Sequence, residues 1–297
     1  MENLEFKQKL NDYQDIINKA LKNYTFDKNE PEMLFRESMQ YSLLAGGKRL
    51  RPILLIATYL LFKDDYQECI PFACALEMIH NFSLIHDDLP AIDNDDFRHA
   101  KPTNHKVYGE STAILAGDGL LNYAYVVMSE EVLKDNNNAI NKIKLINELS
   151  KATDRMIVGE YVDTYYENKD ISIELLEYMH TNKTGALIEY SVRAGAILAN
   201  ASKEDINNLT EYAKNIGLAF QIKDDILSEI GDEKVLGKPV GNDKLNNKST
   251  YVTKYGVEKA QEILENITED AIRRLDKYGD KAKFLKELAV YIKDRQK

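Results

Sequence analysis

The chain has 297 residues, 44% of them hydrophobic, and a formal net charge of −10. That length supports a large core, and the negative balance argues against nucleic acid as a partner. No apolar run is long enough to span a bilayer, the first residues carry no signal-peptide core, and Cys69 and Cys74 lack metal-ligand spacing, so a soluble, cytoplasmic protein with reduced cysteines is expected.

The expected elements run in order as follows. Two helices, Glu2 to Leu21 and Glu30 to Leu44, are joined by the polar segment Asn23 to Asn29. The second runs into Ala45-Gly46-Gly47-Lys48-Arg49-Leu50-Arg51-Pro52. Glycine tolerates the left-handed backbone that ends a helix, and Pro52 suits the first turn of a following helix, Ile53 to Phe62. The turn therefore gathers Lys48, Arg49 and Arg51. Cations can serve a helix C-terminus, but three exceed that need, and an anion site is the favoured reading.

Pro71 opens a largely apolar helix that ends in His86-Asp87-Asp88-Leu89-Pro90-Ala91-Ile92-Asp93-Asn94-Asp95-Asp96-Phe97-Arg98-His99. Carboxylates at the end of a buried helix are costly unless a positive charge joins them. A hard cation such as Mg²⁺, which takes oxygen ligands and shares them with phosphates, would supply it; an acidic, solvated loop is the plainer alternative. A polar connector, His99 to His105, precedes helices at Thr112 to Leu133, Lys142 to Glu167 (with Gly159 inside it), Glu174 to Asn200 and Glu204 to Leu227. Asp135 to Asn138 reads as a turn. The Gly231 to Ser249 segment is the candidate lid, and helices at Val257 to Lys277 and Lys281 to Arg295 close the chain. With no proline between Pro102 and Pro239 and little strict alternation, the expected fold is all-α, one domain over 1–297.

A second aspartate pair, Asp224-Asp225, again stands near the end of a helix with apolar Leu218, Ala219, Phe220 and Ile222. Carboxylates from two helices are a common way to build a metal site in a bundle. Between the pairs lies Asn182-Lys183-Thr184-Gly185-Ala186-Leu187, and after them Lys248-Ser249-Thr250-Tyr251. In this order and spacing the motifs resemble the short-chain trans-prenyl diphosphate synthases, of the bacterial farnesyl diphosphate type, over nearly the whole chain. The resemblance implies a single large helical bundle with a deep central cavity, usually a homodimer without a membrane span. It implies head-to-tail condensation of an allylic diphosphate with isopentenyl diphosphate and release of pyrophosphate. Asp87, Asp88, Asp93 and Asp224 would hold Mg²⁺, three ions with substrate bound. Arg98, Lys183 and Lys248 would contact the allylic diphosphate, with Lys238 as a further substrate-binding cation. Lys48, Arg51, His80 and His99 would form the isopentenyl diphosphate pocket, and Thr184 and Gln221 would lie near the reacting carbons.

Product length has a local reading. Phe82 precedes Asp87 by five residues, roughly 7–8 Å along a helix, and with Ser83 it matches the chain-length position; an aromatic there resembles the farnesyl, fifteen-carbon enzymes. Packing in the core is the plainer role for Phe82. The chain departs from the family pattern at Ser228 for an aspartate, His99 for an arginine, Glu160 for a glutamine and Asn247 for a glycine. Arginine to histidine removes a bidentate fork and a permanent charge, so weaker or pH-dependent binding of isopentenyl diphosphate is expected. The alternatives are a geranyl or geranylgeranyl synthase, a non-standard prenyl coupling, a cyclase-like enzyme, or a non-catalytic subunit of a heteromeric synthase.

Overall fold

A computed structural model describes residues 4–24, 31–134, 136–230 and 249–296. The described residues are helical almost throughout; the exception is one hairpin, β1 (Phe97–Arg98) antiparallel to β2 (Lys101–Pro102). Lys238, Asn247, Lys248 and most of the candidate lid lie outside the described residues. By internal contacts the chain forms two compact units, Met1–Leu149 with Ile197–Ala199, and Ser150–Ala196 with Asn200–Lys297.

The first unit contains α1 (Leu4–Leu21), α2 (Met33–Leu43), α3 (Leu50–Tyr59), α4 (Ile70–Asp87), α5 (Asn104–Tyr108) and α6 (Glu110–Lys134). Its centre is α4. Phe72, Ala73, Cys74, Leu76, Met78, Ile79, Phe82 and Ile85 are all buried, so this helix is enclosed on most sides rather than striped. It packs chiefly on α6, and also on α3, α1 and α2. The buried face of α6 mixes Leu120, Val127 and Met128 with the small residues Ala113, Ala116, Gly117 and Ala124, and the small ones let the two backbones approach. Both cysteines are buried and unpaired by a disulfide, in keeping with a reduced, structural role.

The turn before α3 uses Gly46 and Gly47 at φ of 111° and 110°, and Arg49 at 51°. Helix α3 begins at Leu50, earlier than the sequence suggests, because the Arg49 carbonyl already accepts from the Ile53 amide at 3.1 Å. The expected polar connector instead contains the hairpin's turn and second strand and the first residues of α5.

The helix α7 (Ala139–Tyr165) belongs partly to each unit. The second unit then holds α8 (Ile173–His180), a π-turn at Thr181–Gly185, α9 (Ala186–Leu198) except its last two residues, α10 (Lys203–Ile230), α11 (Tyr251–Tyr255), α12 (Val257–Arg274) and α13 (Lys283–Asp294). The sequence suggested one helix from Glu174 to Asn200; the π-turn interrupts it. A π-turn is rare and needs tertiary support. Here a Cβ on Gly159 of α7 would stand 2.1 Å from the Lys183 amide nitrogen, so only glycine admits the bulged backbone. Helix α10 is the core of this unit, packed on α12, α13 and the π-turn.

Candidate active site

In the first unit, Asp87 is the last residue of α4 and Asp88 caps it. The chain then folds back, and the Asp93 amide donates to the Asp87 carbonyl at 2.9 Å. This puts Asp93 beside the helix end that carries the aspartate pair. Asp88 is only 3% exposed. The β1 strand delivers Arg98 to it, with Nε 2.7 Å and a terminal nitrogen 2.5 Å from Asp88 Oδ1. The same guanidinium lies 3.9 Å from Asp87 and 3.5 Å from Asp95. Burial pushes the Asp88 carboxyl up to about 6 although Arg98 pulls it down. The ionised carboxylate is thus incompletely compensated by the arginine.

A cationic cluster occupies the same unit. Arg51 lies 3.1 Å from His80 Nε2, and its own buried Nε meets no acceptor among the described residues. Burial lowers Arg51 to about 10, against the pull of Glu77. His80 is held well below its ordinary value by burial first, then by Arg51, Arg98, Arg49 and His99. A neutral imidazole accepts the Arg51 hydrogen bond, because the guanidinium has only donors to offer. His99 closes over the glycine turn: a Cβ on Gly47 would be 3.1 Å from its Nε2. It too is lowered, by burial first and then by Arg98, Arg49 and Lys48. Lys48 is exposed and near enough to act on His99.

Arg49 is engaged differently from Lys48 and Arg51, although the sequence groups the three turn cations. Its guanidinium is buried and donates to Glu77 at 2.6 Å, to Asn18 at 3.0 Å and to the Leu43 carbonyl at 2.8 Å. These partners tie α1, α2 and α4 to the turn, and they leave Arg49 engaged with the protein itself.

In the second unit, Lys183 projects from the π-turn and pairs with Glu160 at 2.8 Å and Asp163 at 2.6 Å, both on α7. Thr184, the next residue, is buried. Arg155 braces the turn: Nε donates to Asn182 at 3.0 Å, one terminal nitrogen to Glu189 at 3.0 Å and the other to the Thr181 carbonyl at 3.4 Å. Helix α10 supplies Gln221, Asp224 and Asp225. Asp224 accepts from Arg295 at 2.7 Å. Asp225 is buried and accepts from the Tyr251 amide at 2.7 Å, anchoring α11. The two members of the second pair therefore differ, one a half-exposed side chain facing an arginine and the other a structural anchor. Ser228 lies one turn beyond Asp224, as expected for i and i+4.

Both acidic ends suit a hard divalent ion, since the donors are carboxylate oxygens. Asp88 supplies the sharper argument, being a buried carboxylate raised by its surroundings that an ion would stabilise. Among the described residues no three metal-binding side chains converge into a cage. Mg²⁺ commonly takes one or two carboxylates and completes its shell with water and substrate phosphate.

The structure supports several residues that sequence reasoning missed. Asp163, Arg155, Asn182, Glu189 and Arg295 hold or brace residues of the expected site. Gly159 inside α7 was the one available signal for the close approach of the π-turn.

A helical protein with one buried and two more open carboxylates at a helix end, beside a cluster of guanidinium and imidazole groups, has the chemistry of the class that handles polyanions. The chain belongs to the polyprenyl synthetase family, whose sequence profile matches residues 32–288. It is 44% identical over 277 residues to a farnesyl diphosphate synthase of Geobacillus stearothermophilus, covering 93% of each chain. It is 42% identical over 283 residues to a geranylgeranyl diphosphate synthase of Cyanophora paradoxa, covering 95% of this chain and 92% of that one. Among solved structures, a geranylgeranyl pyrophosphate synthetase from Pyrococcus horikoshii Ot3 superposes with a TM-score of 0.88 at 30% identity, covering 98% of each chain. The all-α expectation is met. No helix among the described residues is long and apolar enough to cross a membrane.

Proposed function

We propose that this protein is a prenyltransferase that joins an allylic diphosphate, dimethylallyl or geranyl, to isopentenyl diphosphate and yields farnesyl diphosphate and pyrophosphate. The observation that carries the reading is the contrast inside the first unit. Buried Asp88 at the end of α4 calls for a cation, and the buried, open Nε of half-buried Arg51 calls for an anion. A metal–diphosphate and a second diphosphate satisfy the two demands.

Diphosphate leaves carbon readily only when its growing charge is neutralised, and bound Mg²⁺ would supply that neutralisation. Asp87, Asp88, Asp93 and Asp224 are the residues that would hold it, three ions being the expected complement. Arg98 and Lys183 already face carboxylates, so each is placed to turn to phosphate oxygen, where charge-assisted hydrogen bonds are short and strong. Lys48, Arg51, His80 and His99 hold the isopentenyl diphosphate, and Thr184 and Gln221 sit by the reacting carbons. Lys238 and Lys248 are assigned to the diphosphates by the family pattern alone. The allylic cation must be shielded from water. It adds to the isopentenyl double bond, and a proton then leaves the new cation, with released pyrophosphate as its acceptor.

Phe82, 5% exposed on α4, favours the fifteen-carbon product. The likeness to geranylgeranyl synthases sustains a twenty-carbon product as the second reading. We further propose a homodimer working in the cytoplasm. The deciding experiment incubates the purified protein with Mg²⁺, dimethylallyl diphosphate and isopentenyl diphosphate and reads product chain lengths. A fifteen-carbon product is expected; absence of any condensation would overturn the proposal.

A further inference from the structure

We infer that Phe82, the floor of the hydrocarbon site, is held in place by the His86 ring, and that Gly117 is the specificity-determining residue that makes room for that ring. The inference rests on the prenyl transfer proposed above, since it takes the growing tail to run along α4.

The geometry is local to the first unit. Phe82 and His86 are four residues apart and Ser83 and His86 three, so all three share one face of α4. The Phe82 and His86 rings meet edge to face, with centroids 5.1 Å apart at 83°. An aromatic edge against a ring face is a favoured contact that fixes both rotamers. Ser83 turns its hydroxyl back to the His80 carbonyl at 2.8 Å, so it does not come between the two rings.

His86 is itself held from α6. Its Nε2 lies 3.0 Å from the Ile114 carbonyl. A carbonyl only accepts, so this nitrogen carries the hydrogen. One turn further along α6, Gly117 faces the imidazole. A Cβ there would stand 2.2 Å from Nε2 and 2.4 Å from Cδ2 of His86. No side chain larger than hydrogen leaves the ring where it is. Gly117 is the slot, His86 the plug seated in it, and Phe82 the ring the plug supports. Asp118 stands 3.9 Å from His86 Nε2 on the open side.

A cavity floor built this way depends on a residue that never touches the tail. With alanine at 117, His86 must leave its place, and Phe82 loses the ring that holds its edge. The barrier to a fourth five-carbon unit then falls. Discrimination by one apolar contact in a hydrophobic pocket is worth about tenfold or somewhat more, and the ratio of twenty- to fifteen-carbon product should rise by about that factor.

The test measures this ratio, together with thermal stability, for the wild type, Gly117→Ala, His86→Ala and the double variant. Both single variants are expected to lengthen the product. The double variant should match His86→Ala in ratio, because the two changes act through one ring. It should also melt higher than Gly117→Ala, since removing the imidazole removes the clash with the new methyl group. If Gly117→Ala fails to fold, His86→Ala and the double variant pose the same question. An active enzyme whose ratio is unmoved by loss of His86 overturns this inference alone. A wild type that makes no condensation product overturns the parent reading as well.

Discussion

Arg295 donates to Asp224 Oδ1 at 2.7 Å and to the Phe220 carbonyl at 2.9 Å, with its guanidinium 4.1 Å from the centre of the Phe220 ring. The carbonyl and the ring of Phe220 hold the guanidinium beside the carboxylate. The arginine orients Asp224 through one oxygen, on a side chain that stays 44% exposed. Hydrogen bonds to a liganding group from the surrounding shell commonly change metal affinity by about 10–100-fold. Replacing Arg295 with Gln should weaken Mn²⁺ binding in the presence of pyrophosphate by about tenfold, as followed by electron paramagnetic resonance of free Mn²⁺. Equal or tighter binding by the variant would show that Arg295 competes with the ion instead of positioning its ligand.

Arg49 and Glu77 form a pair at 2.6 Å whose side chains are 1% and 3% exposed. Removing one partner strands a buried charge. Arg49→Met should therefore cost about 3–5 kcal/mol in denaturant unfolding. The double variant Arg49→Met, Glu77→Leu should recover most of that loss. A single variant that unfolds at the wild-type denaturant concentration would refute the structural assignment of Arg49.

Gly159→Ala places a methyl group against the backbone of Lys183, whose Cα would be 2.6 Å away. Main-chain atoms cannot swing aside as a side chain does. The expected loss is about 1–3 kcal/mol from overpacking, visible in thermal melts by circular dichroism. Activity should fall further than stability requires, because the turn that carries Lys183 and Thr184 moves. Wild-type melting together with wild-type turnover would contradict the packing described here.

His99 is held below the ordinary histidine value by burial and by Arg98, Arg49 and Lys48. The folded, ligand-free protein thus binds this proton more weakly than the unfolded chain does. Stability owed to the neutral imidazole is present above about pH 6.5 and is lost as pH falls through the folded value. A bound diphosphate reverses the local field and favours the charged ring. The KM for isopentenyl diphosphate should therefore fall as pH is lowered through the region below about 7. His99→Arg should lower KM and remove most of this slope. The arginine variant shares the substrate's own protonation, so an unchanged slope would exclude His99 as its source.

The two acidic helix ends were legible because carboxylates after an apolar helix have few explanations. Asp87 and Asp88 stand at the end of α4 as read, and Asp93 folds back beside them. What the letters could not separate was the job of neighbouring like residues. Lys48, Arg49 and Arg51 look alike in sequence, yet Arg49 faces Glu77 from a distant stretch of α4. Likewise Asp225 holds the Tyr251 amide while Asp224 meets Arg295. Such pairings join positions dozens of residues apart, and no local pattern encodes them. That the sequence predicts one continuous helix from Glu174 onward has a related cause. Composition and periodicity do not register one surplus residue in a turn; Gly159 and Arg155, which stabilise it, lie on another helix.

That surplus residue has a consequence for how the second unit tolerates length changes. An α-helix advances by about 100° per residue, and a π-turn absorbs one residue without passing the rotation on. Deleting a residue within Thr181–Gly185 would let α8 and α9 join as one regular α-helix, with every backbone bond satisfied. The shortened protein would keep its helical content. The register between Lys183 and its carboxylates on α7 would be lost, so this segment admits substitution more readily than any change in the number of residues.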